Sequence, residues 1–421
     1  MGRPDRLNIP DEVLRIAKKL EDAGFETWCV GGAVRDNLLG LENQDFDLTT
    51  AARPEDVRRL FRRTVPIGVE HGTVAVLDRK AKPHEVTTFR RDVETDGRHA
   101  VVAFGVSLDD DLARRDFTIN AIAYHPLRHQ WRDRFGGAED LEREVIRAVG
   151  DPAQRFREDY LRILRALRFA ARFGFQIDRD TWDAARAQVQ GLKQLSAERV
   201  REEWFKGLQT ARRPSRLVEL WRDVGALEIW LPELEQGERG RGVDTTKAID
   251  ELPPDPVLIT AYLSADPVTA LTRLRCSNAE IERGRRIAEH RASWPEPVSE
   301  VAVRRWLAKV GPAADDLLNI AEAEGWGDAL VETAGRVARS KAPLSLGDLA
   351  ITGDDLLAAG VPKGPAVGQT LRMLLDRVLD DPSLNTREKL LELAATLCAS
   401  RFPFHGSRFT PNATRRRGKP K

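Results

Sequence analysis

Two carboxylates one residue apart, Asp45 and Asp47, are the residues of this chain best suited to carry out chemistry. In a β-strand, residues i and i+2 point to the same face, which would place these two side chains about 6.6 Å apart along one face. Such a pair can bind two divalent cations, and two-metal sites hold the attacking and leaving oxygens of a phosphoryl or nucleotidyl displacement. Hard oxygen ligands and a phosphate substrate favour Mg²⁺.

A Gly31–Gly32 pair precedes these acids and predicts a turn that opens a short helix. Glycine lets the backbone approach phosphate oxygens, and a helix N-terminus supplies free N–H groups. Arg35, one turn into that helix, can add a charge-assisted contact. A dinucleotide site is disfavoured, because this segment has no G-x-G-x-x-G motif and two acids follow it.

The elements that must position these residues follow from hydrophobic periodicity. The pattern predicts helices at 11–24, 33–39 and 54–62, and strands at 27–30, 44–49, 73–78 and 84–89. This mixture predicts an α/β head with a mixed sheet. After residue 151 amphipathic helices dominate, over 154–231 and 268–400, so we expect the class α+β with an elongated, all-helical neck, body and tail.

The composition is that of a soluble globular protein, with 421 residues, 41% hydrophobic and 32% charged. No apolar run reaches the roughly 18 residues that a membrane span needs, and residues 1–6 do not resemble a signal peptide. The three cysteines are scattered without metal-ligand spacing, which favours reduced thiols and a cytoplasmic location.

The net charge is only +1, so any affinity for RNA must come from local patches. The clearest patch is the basic tail, which includes Arg415 and Arg416. We interpret it either as an arm that contacts RNA or as a disordered end that improves solubility.

Five motifs resemble those of the class II tRNA nucleotidyltransferase and bacterial poly(A) polymerase family, in the family's order. They are GGAVRD with DFD at 31–36 and 45–47, DLARRDFTINAIA at 111–123, DRFGG with Asp140 at 133–140, RFREDYLR at 155–162, and SAERV with Glu203 and Lys206 at 196–206. The resemblance implies a nucleotidyltransferase-superfamily head. We therefore expect a catalytic head at 1–150, a helical neck with a base-reading helix at 151–235, a linker or loop at 236–256, a helical tRNA-binding body and tail at 257–400, and a basic tail at 401–421.

The resemblance also implies roles for the residues of the head. Asp45 and Asp47 would bind the metal, with Glu85 as the third acid on the predicted strand 84–89 and Asp116 as the alternative to it. Further contacts to the ribose and phosphates of the incoming nucleotide are implied for Arg115, Asp116 and Asn120.

One predicted helix, residues 156–173, carries an acid and four arginines on one stripe because of their spacing. They are Asp159, Arg162, Arg165, Arg168 and Arg172. An aspartate can accept a hydrogen bond from the exocyclic amine of cytosine or adenine, and an arginine can donate to the same base edge. Uracil and guanine would leave buried polar groups unmatched, at about 1–3 kcal/mol each. The pair Asp159/Arg162 thus predicts selection of C and A, with Arg165 and Arg168 completing the pocket or holding phosphates; the alternative is a solvated basic face.

Two further segments resemble parts of the family. Residues 91–104 are similar to its flexible loop, with Gly136–Gly137 as the hinge, which favours a full CCA-adding enzyme over one that adds only C. Residues 349–368 are similar to its RNA-binding tail, which implies RNA contacts at Lys363 and Gly364; the alternative is an ordinary helix–loop–helix with glycine caps.

We therefore predict an enzyme that adds C, C and A to the 3′ end of tRNA from CTP and ATP, with no membrane attachment and no obligate protein partner evident. The alternatives are a poly(A) polymerase, an enzyme that adds only CC or only A, and, more remotely, a non-catalytic RNA-binding protein or an enzyme for a small acceptor. The stretch 66–74 is more similar to the tRNA enzymes than to poly(A) polymerases.

Overall fold

The computed structural model describes residues 4–68, 72–95, 100–234, 238–239 and 243–401. The chain forms two compact units, Met1–Ala288 and Glu289–Lys421. The boundaries that the sequence suggests, near residues 150, 235 and 256, stay predictions. The described residues include Glu238–Arg239 and Val243–Asp244 of the expected linker 236–256, which pair as two short strands.

The first 150 residues alternate between strands and short helices, as expected for an α/β head. The helices are α1 Asp11–Asp22, α2 Gly32–Leu38, α3 Pro54–Leu60, α4 Leu108–Ala113 and α5 Gly137–Glu142. The strands are β1 Thr27–Val30, β2 Asp47–Thr50, β3 Thr64–Gly68, β4 Thr73–Leu77, β5 Pro83–Thr88, β6 Arg90–Thr95, β7 Ala100–Phe104, β8 Ala123–His125, β9 Gln130–Arg132 and β10 Val145–Ile146.

Seven of these strands form one mixed sheet, in the order β3-β4-β5-β2-β1-β8-β9. The β2–β5 pair is parallel, with Leu48 opposite Val86, and the other neighbours are antiparallel. Asp47 directly precedes Leu48 and Glu85 directly precedes Val86, so the register places Asp47 and Glu85 side by side on one face of the sheet. In the apolar core of the head, Trp28, Val30 and Phe89 pack with residues of α4.

The structure corrects the prediction that residues 91–104 form a loop. Strands β6 and β7 pair in antiparallel fashion with an irregular register, and residues 96–99 lie outside the described part of the chain. The predicted strand 44–49 was also wrong at its start, because β2 begins only at Asp47. Asp45 therefore precedes the strand, and the two acids do not share one strand face.

Helices make up most of the remaining chain. They are α6 Pro152–Glu158, α7 Leu161–Phe173, α8 Arg179–Ala187, α9 Ala197–Thr210, α10 Pro214–Val224, α11 Ala226–Trp230, α12 Thr245–Ala248, α13 Pro256–Leu263, α14 Pro267–Arg273, α15 Asn278–His290, α16 Glu300–Val310, α17 Ala314–Ala323, α18 Asp328–Arg339, α19 Gly353–Ala358, α20 Pro365–Asp380 and α21 Arg387–Arg401. The short strands are β11 Gln176–Ile177, β12 Glu238–Arg239 and β13 Val243–Asp244. The α+β class with a mixed-sheet head and a helical remainder is confirmed.

The predicted base-reading helix is two helices rather than one. Asp159 has an extended backbone with φ −157° and ψ 106°, which ends α6, and α7 starts at Leu161. Gly174, at φ 75°, ends α7 in the left-handed region that glycine tolerates. The break takes Asp159 off the helical stripe, so its side chain points independently of the arginines that follow.

The second unit has its own apolar core, which includes Leu356, Leu374 and Leu390 from α19, α20 and α21. Arg304 is almost buried there and donates hydrogen bonds to the carbonyls of Leu379 and Asp380. Among the described residues, no helix combines the length and apolar character needed to cross a bilayer.

Candidate active site

An open cleft of about 450 Å³ lies in the first unit, between the sheet and helices α7 and α9. Strands β2, β4 and β5 contribute one side, and the segment after α4, the α6–α7 junction and α9 contribute the other. The lining residues are Val30, Asp47, Leu48, Thr73, Glu85, Thr87, Arg90, Arg114, Arg115, Asp116, Asp159, Leu161, Arg162, Arg165 and Arg199.

Two carboxylates, Asp47 and Glu85, form what we call the acid wall of the cleft. Desolvation within the cleft, with repulsion from Glu85 and Asp45, raises the pKa of Asp47 to about 6, although Arg115 opposes the shift and the residue keeps an exposed surface. Like charges held together in this way favour a bound cation. This arrangement favours Glu85 over Asp116 as the third acid of the predicted site, because Glu85 lies beside Asp47.

Asp45 does not line the cleft in this structure. Its side chain is 76% exposed, and one carboxylate oxygen lies 3.5 Å from the ammonium nitrogen of Lys82. In the described part of the chain, no three acid, histidine or cysteine side chains stand close enough to form a ready metal cluster. The hard oxygen donors of Asp47 and Glu85 and the raised pKa of Asp47 nevertheless fit a divalent cation, with Asp45 adjacent to them.

Five guanidinium groups also line the cleft and form what we call the arginine wall, and each is paired with a carboxylate; one of them, Arg115, also lies near Asp47. The pairs are Arg114–Asp111, Arg115–Asp111, Arg162–Glu158, Arg165–Asp116 and Arg199–Asp159. Asp111 is fully buried between Arg114 and Arg115, and although its burial alone would raise its pKa, the two arginines hold that pKa below its usual range. The wall is thus held in place before any ligand binds.

Asp116 connects this wall to the phosphate-binding region predicted at Arg35. It accepts hydrogen bonds from Arg165 at 2.8 Å and from Asn120 at 2.9 Å, and the Asn120 side-chain oxygen accepts one from Arg35 at 2.6 Å. Burial alone would raise the pKa of Asp116, but Arg165 and these hydrogen bonds lower it to about 2. Asp116 is committed to this network, which leaves it poorly placed as a metal ligand.

The predicted base-reading pair, Asp159 and Arg162, lines the cleft, but the two side chains are not partners of each other. Asp159 accepts a hydrogen bond from Arg199 at 2.7 Å. Arg162 donates to Glu158 at 2.8 Å and to the backbone carbonyl of Arg114 at 3.1 Å. Arg199 and Glu158 were not among the predicted site residues, although both lie within recognised motifs, and motif position was the only signal that could have found them.

Arg168 is placed differently from the prediction. It is 3% exposed, does not line the cleft and donates to Glu203 at 2.6 Å. Its guanidinium lies 4.3 Å from the ring centre of Phe169, which Arg35 and Arg165 also approach, at 5.0 and 5.4 Å. This placement indicates a structural role for Arg168 beneath the cleft rather than a contact to phosphate.

The glycines of the first motif allow close packing around Asp47. Gly31 has φ 77°, which disfavours other residues, and a Cβ there would lie 3.5 Å from Arg115 and 3.7 Å from Asp47. Gly32 starts α2, so the turn does open a helix as predicted. In the predicted hinge, a Cβ on Gly137 would lie 2.1 Å from the carbonyl oxygen of Thr118, so there is no room for a side chain at this position.

Of the residues predicted to bind RNA, Lys363 and Gly364 are exposed in the second unit. Gly364 has φ 118° and immediately precedes α20, the longest helix among the described residues. Arg415 and Arg416 lie outside the described residues.

Comparisons with known proteins place this geometry in context. The family model described as "Poly A polymerase head domain" matches residues 27–147. Two further models, for an RNA- and SrmB-binding site of polymerase A and for a tRNA nucleotidyltransferase domain 2, match residues 174–237 and 333–394.

Similar proteins extend over almost the whole chain. It is 34% identical to a CCA-adding enzyme of Limosilactobacillus fermentum over 91% of this chain and 96% of the relative. It is also 34% identical to a CCA-adding enzyme of Lacticaseibacillus paracasei, over 94% and 99%. The solved structure of the Bacillus stearothermophilus CCA-adding enzyme with CTP is 30% identical, with a TM-score of 0.78, over 95% of this chain and 99% of that one.

Proposed function

This chain belongs to the family of CCA-adding enzymes, and on that basis we propose that it adds C, C and A to the 3′ end of tRNA from CTP and ATP, without a nucleic-acid template. The family is one of nucleotidyltransferases that generally use a divalent metal, and for this chain we infer Mg²⁺. Because the substrate is tRNA, we infer that it acts in the cytoplasm.

The observation that carries the proposal is that an acid wall and an arginine wall line the same cleft. When bound, the divalent metal would activate the attacking 3′-hydroxyl and stabilise the departing pyrophosphate. Asp47 and Glu85 would hold it from the sheet, and Asp45 would complete the ligand set from the loop before β2. These roles require ionised carboxylates, so the raised pKa of Asp47 makes metal binding compete with protonation.

The arginine wall would bind and orient the nucleotide. Gly31, Gly32 and Arg35 would handle the triphosphate, while Arg115, Asp116 and Asn120 would position the phosphates and ribose. Every arginine of the wall already has an acidic partner, so the nucleotide would meet side chains of fixed orientation rather than mobile ones.

Base selection would rest on Asp159 and Arg162, whose partners Arg199 and Glu158 hold them at the cleft. An aspartate that accepts from the exocyclic amine of C or A would face a carbonyl in U or G. Arg165 would complete the pocket, whereas Arg168 would support it from below.

For the tRNA body we propose contacts at Lys363 and Gly364 in the second unit and at Arg415 and Arg416 in the tail. The division into a head at 1–150, a neck at 151–235 and a helical body and tail at 257–400 is part of the same proposal. The exposed Gly364 turn at the start of α20 supports it, because backbone amides at such a turn can bind phosphate.

The test is nucleotide incorporation on tRNA transcripts that end before the first C, after CC and after CCA, with Mg²⁺ and each nucleoside triphosphate separately and together. We expect addition that stops after CCA. Asp47→Ala should abolish it, whereas Arg179→Ala, which changes a side chain that is 90% exposed, should not. An unlimited A-tail would indicate a poly(A) polymerase. Addition of only C or only A would indicate a split-specificity enzyme, and RNA binding without any incorporation would indicate a non-catalytic protein.

A further inference from the structure

We propose that Asn43 is a positioning residue that fixes the loop carrying Asp45 and connects it, through buried side chains, to Asp116 of the nucleotide cleft. The inference rests on the proposed function, because it concerns where an acid of the metal site stands. Asn43 lies outside the segments that the first motif comprises, and neither the sequence pattern nor the comparisons assign it a role.

The acid that Asn43 would position has little other support. Asp45 precedes β2, so the ladder of the sheet does not hold it. Its side chain is 76% exposed, and the ion pair seen for it among the described residues is with Lys82, itself 50% exposed, at 3.5 Å. Exposed ion pairs of this kind contribute little to a fixed geometry. The backbone N–H of Asp45, however, donates a hydrogen bond to the side-chain oxygen of Asn43 at 3.0 Å.

Asn43 is held in turn by two residues of α2. Its side-chain amide donates to a carboxylate oxygen of Asp36 at 3.0 Å. Its backbone carbonyl accepts a hydrogen bond from the Asn37 side chain at 2.8 Å, and Asn37 also donates to the carbonyl of Ala33. Asp36 is only 3% exposed, so the loop is anchored to a buried carboxylate rather than to a mobile surface group.

The same buried carboxylate also accepts hydrogen bonds from two arginines, neither of which lines the cleft. Arg35 donates to one oxygen of Asp36 at 2.6 and 2.8 Å, and Arg172 of α7 donates to the other at 3.0 Å. Arg35 also donates a hydrogen bond to the Asn120 side-chain oxygen at 2.6 Å, and the Asn120 amide donates to Asp116. The loop that carries Asp45 is thus connected through hydrogen bonds to the side chains predicted to handle phosphate and ribose.

The test measures Mn²⁺ binding by electron paramagnetic resonance on the full-length protein without nucleotide or RNA. Asn43→Ala loses two side-chain hydrogen bonds, one from the Asp45 N–H and one to Asp36, and should weaken Mn²⁺ affinity about tenfold. Asn43→Ser should lose less, because a hydroxyl can still accept from the N–H two residues on. Gln44→Ala, an exposed neighbour in the same loop, is the matched control and should bind Mn²⁺ as the parent does.

A double-mutant cycle separates positioning from a general structural effect. In the Asp45→Ala background, Asn43→Ala should cost no further Mn²⁺ affinity, since the acid it positions is gone. Unchanged affinity in Asn43→Ala, or an equal loss in the Asp45→Ala background, would overturn the proposal. An Asp45-dependent loss in a parent that incorporates no nucleotide would support the positioning role while refuting the proposed function, so the two failures are distinguishable.

Discussion

The two walls of the cleft are built on opposite electrostatic plans. On the arginine wall every guanidinium has a carboxylate partner, and Asp116 has its pKa lowered to about 2 by Arg165 and its hydrogen bonds. On the acid wall Asp47 faces Glu85 and has its pKa raised to about 6. The charges of the arginine wall are paired without a ligand, whereas the carboxylates of the acid wall repel each other until a cation binds.

The difference indicates how the work of binding is divided. The arginine wall can recognise a nucleotide because its shape is fixed beforehand by internal pairs. A bound metal would relieve the repulsion between the carboxylates of the acid wall. Metal binding and nucleotide recognition should therefore respond to different substitutions. The predictions below test that separation.

The largest effect is expected at the acid wall. Asp47→Ala should lower the rate of CMP incorporation by at least about a thousandfold, because the remaining acids cannot hold the activating cation. CTP binding, measured by equilibrium dialysis without metal, should change by less than about threefold. An equal loss in both measurements would show that the walls do not act separately.

The next effect concerns stability at the arginine wall. Asp116→Asn should lower the free energy of unfolding by about 2 kcal/mol, because Arg165, whose side chain is 33% exposed, loses its ionised partner. Urea unfolding measures it, with Asp223→Asn, a half-exposed acid paired with Arg222, as the control expected to change stability by under about 0.5 kcal/mol. If Asp116→Asn unfolds at the same midpoint urea concentration as the parent, the Asp116–Arg165 pair does not hold the arginine wall in place.

A smaller effect is expected for Arg199→Ala. Asp159 would lose the charge-assisted hydrogen bond that orients it, and discrimination between CTP and UTP should fall about tenfold. The ratio of kcat/KM for the two nucleotides measures this, and half-saturation by Mg²⁺ should stay unchanged. If only the metal requirement moved, Asp159 would belong functionally to the acid wall.

The smallest effect is a pH-dependent gain in stability. The pKa of Asp47 is about 6 in the folded chain and near 3.8 when unfolded, so the native state binds more protons between these values. The free energy of unfolding therefore falls as pH rises from about 4 to above 6. Asp47→Asn should remove that fall and gain up to about 1 kcal/mol above pH 6, a figure reduced for solvent screening.

Urea unfolding in EDTA at pH 4 and pH 7.5 tests this last prediction. The advantage of Asp47→Asn should appear only at the higher pH. In a parallel experiment without EDTA, Mn²⁺ should reduce this advantage by stabilising the parent. An advantage of equal size at both pH values would show that repulsion at the acid wall is not its cause.

Local sequence pattern was sufficient for the sheet side of the site. Strand periodicity located β1, β4 and β5 to within a residue or two, and the parallel β2–β5 register brings Asp47 beside Glu85. The start of β2 was missed because a two-residue alternation cannot tell a strand from the extended loop before it. Asp45 was therefore assigned to the strand, and the need for another residue to position it could not be foreseen.

The choice of ion-pair partners could not be predicted from the sequence. Spacing on an ideal helix joins Asp159 to Arg162, but the break at Asp159 redirects it to Arg199, which is 40 residues away. Arg168 was assigned to the stripe that faces the ligand, yet the packing of α7 on α9 turns it to Glu203. Such choices depend on which helices pack together, and periodicity does not contain that information.

Three guanidinium groups surround the single phenyl ring of Phe169, from Arg35, Arg165 and Arg168. Arg35 and Arg165 belong to networks that would contact the nucleotide, and Arg168 is paired with Glu203. The chemical shift of a fluorine atom on that ring would therefore respond to the movement of any of the three charges. Nuclear magnetic resonance of fluorophenylalanine-labelled protein could thus follow the reorganisation of the cleft from within its core, without a probe on the substrate.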